Sequence, residues 1–175
     1  VNQIGVLEIY KAFIYAKVTD VWGDVPYTEA LDQDNITPVY DTQEVIYKDL
    51  ISKLKTHGNA LNAADPALKD LLFNGDIAKW KKFANSLRMI YALRLSKKFP
   101  AAAGYAAVEF KAAFQDAGGY IATNADNAVF AANALYKNPW QGVFNTRKDY
   151  APSHFFIDKL NTLNDKRLEY FATKT

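Results

Sequence analysis

The sequence predicts an all-α fold, a mostly helical domain with long loops and at most a few short strands. Five segments repeat apolar residues at helical spacing, and most of them begin at a capping residue or end at glycine or proline. Half of the 175 residues are hydrophobic, which is enough for one substantial core. We therefore expect residues 1–175 to form one helical domain.

The first segment, residues 2–22, is apolar nearly all round, which predicts a helix that neighbours bury on several sides. Gly23 ends this helix, because glycine readily adopts the left-handed conformation that often follows a helix. Residues 24–40 contain Pro26 and Pro38, which break regular structure, so we expect a loop there.

The second segment begins with residues 41–44, Asp-Thr-Gln-Glu, in which Glu44 can reach back to the capping amide. The segment is expected to be helical to about residue 63, because apolar residues then recur at helical spacing: Tyr47, Leu50, Leu54 and Leu61. Asp65 and Pro66 follow as a cap and a first helical residue, which predicts a short helical turn.

The third segment, residues 76–99, is the most apolar and predicts the central helix of the core. Asp76 can cap its first turn, since a carboxylate accepts hydrogen bonds from the free amides there. Lys97 and Lys98 suit the negative end of the helix dipole, and Pro100 stops the helix. Little of its surface is polar, because apolar residues include Trp80, Phe83, Ala84, Leu87, Ile90, Tyr91, Leu93 and Leu95.

The rest of the chain has weaker patterns. An alanine-rich helix is expected over residues 102–117, ended by two glycines. Residues 120–144 have weak periodicity and several asparagines, which predicts mostly loop, with room for one short strand near residues 120–121. Pro152 or Ser153 begins a last helix.

Composition argues against several classes of function. The net charge is only +2, and no basic run with interleaved aromatic residues suggests a nucleic-acid surface. Apolar runs fall far short of the ~18 residues that cross a membrane. The chain has no cysteine, which removes disulfides and thiolate ligands. The two histidines, His57 and His154, lack metal-ligand spacing, so we expect neither a metal nor a cofactor.

Two arginines, Arg88 and Arg94, stand inside the most apolar segment. An unpaired buried guanidinium is too costly, so each should meet a carboxylate, a carbonyl oxygen or solvent. Asp20 and Asp24 are the candidate partners, since they lie where a buried helix gives way to a loop. We interpret these four residues as structural ion pairs, with ligand binding as the alternative.

Residues 136–150 combine aromatic rings with amides and charged groups. Sugar recognition requires that mixture, because flat rings cover the apolar faces of a sugar while polar groups bind its hydroxyls. The other interpretation, which we favour, is a packed loop that Trp140 anchors to the helices. The candidate ligand-binding residues are Tyr136, Asn138, Trp140, Arg147, Asp149 and Tyr150.

Three runs of residues resemble the SusD/RagB family, and more narrowly its SusD-like branch. The central segment carries Gly-Asp, then Lys-Trp-Lys-Lys-Phe-Ala-Asn-Ser-Leu-Arg and Ala-Leu-Arg-Leu-Ser. Residues 19–30 are similar to that branch's Thr-Asp-x-x-Gly-Asp-x-Pro-Tyr-x-x-Ala motif. Residues 149–153 and 164–168 resemble a later motif, with Lys166 where the family usually has proline. The resemblance covers nearly the whole chain in order.

The resemblance implies a tetratricopeptide-like helical scaffold with a non-catalytic role. Members of the family are nutrient-binding lipoproteins of the Bacteroidetes outer membrane, several hundred residues long and attached through a lipidated cysteine. This chain would then be an internal fragment of a surface-exposed lipoprotein, with the lipid anchor outside the fragment. The protein would bind an oligosaccharide or a peptide and deliver it to a TonB-dependent, SusC-like barrel transporter.

Two alternatives come from other classes of protein. A helical-repeat scaffold would bind only protein, and a titration with glycans or peptides separates it from the first hypothesis. A glycoside hydrolase needs two carboxyl groups at a set separation, which the closeness of Asp20, Asp24 and Glu29 in sequence does not establish. Turnover of a glycan would identify a hydrolase.

Overall fold

The structure, a computed structural model, describes residues 2–65, 69–147 and 151–172. Helices make up more than half of the chain, and the prediction of an all-α fold with a minimal sheet is confirmed. In chain order the elements are α1 (Asn2–Trp22), β1 (Val25–Pro26), β2 (Tyr40–Asp41), α2 (Gln43–Ala60), α3 (Ile77–Arg94), α4 (Tyr105–Phe114), α5 (Pro139–Thr146), α6 (His154–Thr162) and α7 (Leu168–Phe171).

The chain divides into two compact units, Val1–Phe130 and Ala131–Thr175. The first unit holds α1 to α4 and the two strands, and the second holds α5 to α7. The expectation that residues 1–175 form one helical domain therefore stays a prediction.

Helices α1, α2 and α3 form the core of the first unit, with α2 in contact with both of the others and α4 packed on α3. Glycines allow close approach. A Cβ on Gly58 of α2 would lie only 3.3 Å from the Cβ of Ala84 in α3, and a Cβ on Gly5 of α1 would lie 2.8 Å from Leu61 Cδ2. Larger buried side chains fill the remaining space, among them Ile9, Ile46, Leu50, Leu54, Trp80, Leu87 and Tyr91.

Helix α1 has its predicted bounds, but within the described residues its neighbours bury one face and not the several sides that we predicted. One face lies in the core, while Leu7 and Ile14 on the opposite face are exposed. Helix α3 likewise exposes Ile90 and Leu93. The pattern of apolar residues shows which faces can be buried, and the neighbours present decide which faces are buried.

The ends of α3 follow partly from its sequence. Asp76 caps the helix as predicted, since its Oδ1 accepts from an amide of the first turn at 3.1 Å. The helix ends at Arg94, five residues earlier than expected, because the amide of Leu95 is shared between two carbonyl groups and the chain tightens into turns. Lys97 and Lys98 therefore lie beyond the helix.

The start of α2 corrects a second prediction. Thr42 caps the helix, and its hydroxyl accepts from an amide of the first turn at 3.4 Å. Glu44 completes no capping box, because its carboxylate binds Lys48 and Lys98, each at 2.6 Å. Two lysines at the surface offer charged donors, which bind a carboxylate more strongly than an amide does.

The segment between α1 and α2 was predicted as a loop and contains a short antiparallel pairing. Gly23 ends α1 with a φ of +76°, as its sequence position suggested. Val25 then pairs with Asp41 and Pro26 pairs with Tyr40. The Asp41 carboxylate accepts from the amide and hydroxyl of Thr28 at 2.7 and 2.8 Å, which closes the intervening loop.

The chain after α3 departs most from the predictions. Helix α4 is shorter than expected at both ends, and near residues 120–121 the described chain forms no strand; instead the Ile121 amide donates to Ser86 Oγ at 2.9 Å. Helices α5 and α7 were not predicted, because eight and four residues are too few to show a clear period. The expected turn at Pro66 lies outside the described residues.

Candidate functional site

The candidate ligand-binding segment lies around α5, at the start of the second unit. Asn138 caps this helix, since its Oδ1 accepts from the Trp140 amide at 3.0 Å, and Pro139 takes the first helical position. Asn133 shapes the turn before it, because its Oδ1 accepts from the Tyr136 amide at 2.9 Å. Two asparagines thus set the backbone that presents Tyr136 and Trp140.

Two aromatic rings of this segment, those of Trp140 and Tyr136, are exposed to solvent. Trp140 is 71% exposed, and Tyr136 is about half-exposed. The ring of Trp140 is therefore largely at the surface of the second unit, and its part in ligand binding stays a prediction.

The polar candidates of this segment are only partly brought together. Asn138 lies beside Trp140 at the beginning of α5, while Arg147 directly follows its last residue and donates its amide to the Val143 carbonyl at 2.7 Å. Eight helical residues separate the two ends by about 12 Å. Asp149 and Tyr150 lie outside the described residues.

Three helices of the first unit meet in a hydrogen-bonded group formed by Asp20, Tyr47 and Arg94. Arg94 forms an ion pair with Asp20 and donates to the Tyr47 hydroxyl at 2.5 Å. The Tyr47 hydroxyl donates in turn to Asp20 Oδ1 at 2.5 Å. Burial and the hydrogen bond to Asp20 raise the pKa of Tyr47 to about 12, against the opposing effect of Arg94. Sequence reasoning named Asp20 and Arg94 and missed Tyr47.

A cleft of about 670 Å³ opens around this group. Its charged groups pair largely with one another, as Glu44 does with Lys98. Asp24 is not the arginine partner that the sequence suggested, because its Oδ1 accepts from the Gln43 amide at 2.9 Å, at the start of α2. We interpret the polar groups around the cleft as a structural network that joins α1, α2 and α3. The lining of the cleft comprises Asp20, Asp24, Thr42, Gln43, Glu44, Tyr47, Arg94, Leu95, Lys97 and Lys98.

Arg88 meets a different set of partners and is almost completely buried, with its side chain 1% exposed. Its Nη1 donates to Asn85 Oδ1 at 2.9 Å and to Asp116 Oδ2 at 3.3 Å, and Glu109 of α4 lies 3.8 Å from Nη2. The aspartates near the end of α1 are not its partners. Arg88 and Arg94 are six residues apart, about 240° around the helix, so they face different neighbours.

A second polar group, which sequence reasoning missed, links the loop after β1 to α2. The Tyr27 hydroxyl donates to Asp49 Oδ2 at 2.5 Å and accepts from Lys53 Nζ at 3.0 Å. Burial, followed by the hydrogen bond to Asp49, raises the pKa of Tyr27 to about 12. Tyr27 belongs to the motif quoted above, but nothing in its sequence neighbourhood points to residues 49 and 53.

A SusD-like family model, described as "Starch-binding associating with outer membrane", matches residues 1–175. This chain belongs to the SusD-like family. The prediction of the family from three sequence motifs is thereby confirmed.

Solved structures share the fold of this SusD-like chain. A chitin-binding protein is 37% identical with a TM-score of 0.84, and the match covers 98% of this chain and 36% of that one. A SusD homologue from Bacteroides uniformis is 30% identical with a TM-score of 0.83, covering 93% and 35%. A chitin-binding SusD homologue from Flavobacterium johnsoniae, at 24% identity and a TM-score of 0.84, covers 94% and 35% and shows the fold alone.

The chain spans about a third of the length of these solved relatives. The tetratricopeptide-like scaffold implied by the resemblance is the fold of SusD homologues. None of the curated proteins matches this chain. Within the part of the chain that the structure describes, no helix combines the length and apolar character that a membrane crossing requires.

Proposed function

We propose that the SusD-like protein to which this chain belongs binds glycans at the outer-membrane surface, without cleaving them, and delivers them to a TonB-dependent, SusC-like barrel transporter. The observation that carries the proposal is the match, over 98% of this chain, to a chitin-binding protein at 37% identity. The family description, starch binding in association with the outer membrane, supports the same class of ligand.

Starch and chitin are both polymers of pyranose rings, and each ring has an apolar face and a polar edge. The segment around α5 supports recognition of such a ligand, because the exposed ring of Trp140 can stack on the apolar face. Tyr136 offers a second ring, and Asn138 and Arg147 offer donors for hydroxyl groups. We also include Asp149 and Tyr150, which follow Arg147 closely in the sequence, among the proposed ligand contacts.

We also propose that the protein does not cleave the glycan it binds. Asp20 is held by Arg94 and Tyr47, and Asp24 is held by a backbone amide. Glu29 accepts from Asn35 at 2.8 Å and from an amide at 3.1 Å. These carboxylates have structural partners, which supports binding over hydrolysis.

The attachment to the membrane would use a lipidated cysteine outside residues 1–175, since this stretch contains no cysteine. The transporter partnership can be tested directly. The tagged complete protein should retain a barrel transporter when it is purified from detergent-solubilised outer membranes. Purification without any barrel would contradict the proposed partner and leave the glycan proposal to its own test.

Calorimetric titration tests the ligand. The complete protein is titrated with chito-oligosaccharides, malto-oligosaccharides and peptides, and the products are then analysed. The complete protein is needed, because one stacked ring contributes a few kcal/mol at most, or about millimolar affinity by itself. We expect binding of a glycan and its recovery intact. Cleaved product would favour a hydrolase, and binding of peptides alone would replace the glycan as ligand.

Two tryptophan variants test the site. Trp140→Ala should weaken glycan binding by roughly ten- to a hundred-fold, because the stacking surface is lost. Trp22→Ala removes a ring of similar exposure, 70%, at the end of α1 and should leave binding unchanged. Equal affinity of the wild type and the Trp140 variant would assign Trp140 to packing.

A further inference from the structure

Helix α1 carries large apolar side chains on two faces: Ile9 is buried in the core, and a second set lies on the side away from it. Small residues such as Gly5, Ala12 and Ala16 line its core face, where α2 approaches closely. Four large residues at spacings of three, four and seven form what we call the outer stripe, and each is 42% to 70% exposed: Leu7, Tyr10, Ile14 and Val21. Residues at these spacings share one face of a helix.

An apolar groove of about 600 Å³ adjoins the outer stripe and shares Leu7 and Tyr10 with it. Its other walls come from elsewhere in the first unit, and they include Phe13, Leu72, Trp80 and Phe83. Both surfaces are continuous along α1. Together they form a patch of the kind that marks an interface in a folded protein.

The chemistry of the groove favours apolar side chains over a sugar. Its polar lining residue, Asp70, already accepts from Trp80 Nε1 at 3.0 Å and from the amides of Leu72, Phe73 and Gly75 at 2.7 to 2.8 Å. A sugar would bring hydroxyl groups that need partners, and leaving buried polar groups without partners is costly. Aliphatic and aromatic side chains have no such requirement.

The shape of the outer stripe fits a second helix. From Leu7 to Val21 the stripe extends for about 21 Å along α1, the length of roughly four helical turns. Lys11 and Lys17 flank the stripe on its two sides, and Lys11 also pairs with Glu8 of its own helix at 3.6 Å. An amphipathic helix with apolar residues facing the stripe and acidic residues at its margins would complement both features.

We propose that the outer stripe and the apolar groove form the seam against which a helix from the rest of the SusD-like chain, outside residues 1–175, packs. The length of the relatives supports this occupant, because this chain covers only 36% and 35% of two solved proteins that share its fold. Most of each relative therefore lies outside the match. A helix with apolar residues on two opposite faces belongs between two layers of a larger domain.

Cysteine accessibility in the complete protein tests the seam, since residues 1–175 contain no cysteine of their own. Ile14→Cys and Leu7→Cys lie in the outer stripe, and Ile36→Cys is the matched control in a loop where Ile36 is 91% exposed. Maleimide labelling, corrected for the parent protein, should be at least about tenfold slower at positions 7 and 14 than at position 36, since a buried site reacts only when it opens. Equal rates would overturn the proposal.

Two further measurements separate the occupants. Light scattering reports the oligomeric state, and slow labelling should persist in the monomer. Protection that disappears when a dimer dissociates would assign the stripe to a second copy and overturn the proposal. Leu7→Glu should also lower the urea midpoint of the complete protein, whereas Ile36→Glu should not. An unchanged midpoint for both variants would likewise overturn it.

Discussion

At the scale of single residues, the two arginines of α3 show how exposure sets the importance of an ion pair. Arg88 is enclosed, pairs with Asp116 and Glu109, and donates a hydrogen bond to Asn85 Oδ1. Arg94 pairs with Asp20 at the edge of a cleft, where more than a third of its side chain meets solvent. Water screens the pair of Arg94 but not the pairs of Arg88. Removing each arginine should therefore lower the free energy of unfolding by different amounts.

Replacing each arginine with methionine tests this difference. Arg88→Met keeps most of the side-chain volume but leaves carboxylates without a cation, so we expect a loss of about 3–5 kcal/mol in the free energy of unfolding. Arg94→Met should cost about 1 kcal/mol or less, because its pair is partly exposed. Urea unfolding of both variants measures the difference. Equal losses, or wild-type stability for Arg88→Met, would contradict the burial described here.

At the scale of elements, one carboxylate joins α3 to the turn that precedes it. Asp70 accepts from three amides of that turn and from the indole nitrogen of Trp80, one turn inside the helix. Burial raises the pKa of Asp70, but the hydrogen bonds from Trp80, Phe73, Gly75 and Leu72 outweigh burial and hold it below its usual value. The start of the central helix therefore depends on the charge of a residue outside it.

The sign of this shift predicts how stability depends on pH. A lowered pKa in the folded state means that Asp70 stabilises the fold fully above its unfolded pKa of about 4, and that this stabilisation is lost as the pH falls through the folded pKa. Asp70→Asn should lower stability at pH 6 and flatten the decline below pH 4. Urea midpoints over this range provide the measurement.

Trp80→Phe is the control for the mechanism, because it removes the indole donor and keeps an aromatic ring. Its midpoint should fall at every pH, while its acid decline should be shallower than that of the wild type. An Asp70→Asn variant with the full acid decline of the wild type would show that other carboxylates cause it.

At the scale of the whole molecule, polar groups link successive helices of the first unit. Asp20, Tyr47 and Arg94 connect α1, α2 and α3, and Arg88 connects α3 to Glu109 of α4. The second unit begins near residue 131, and residues 127–138 lie outside helices and strands. Exposed backbone outside regular structure opens more readily to a protease than a packed helix does.

Limited proteolysis tests this organisation. Lys137 is exposed and directly precedes the capping residue of α5, so trypsin should cut after Lys137 before it cuts after Lys53 within α2. Mass spectrometry of early digestion products identifies the first cut. Lys137→Gln should remove the early fragment without changing later ones. A first cut inside α1, α2 or α3 would contradict the expected order.

The sequence by itself determined the family, the helical class and the local signals at helix ends. Three ordered motifs identified the SusD-like family, and Asp76 and Gly23 have the roles that their positions suggested. These features depend on residues within one or two turns of each other, which is why local patterns reveal them. The short helix α5 escaped prediction even though Asn138 and Pro139 carry a cap signal, because eight residues are too few to show a clear period.

Only the tertiary structure decided which faces are buried and which charges meet. The sequence indicated that Arg88 needs a partner, but Asp116 lies 28 residues away and the choice depends on how α4 returns to α3. The outer stripe of α1 has the same apolar character as its buried face, so composition could not separate them. Burial and pairing are properties of neighbours brought together from distant parts of the chain, and a local pattern records only what each residue can tolerate.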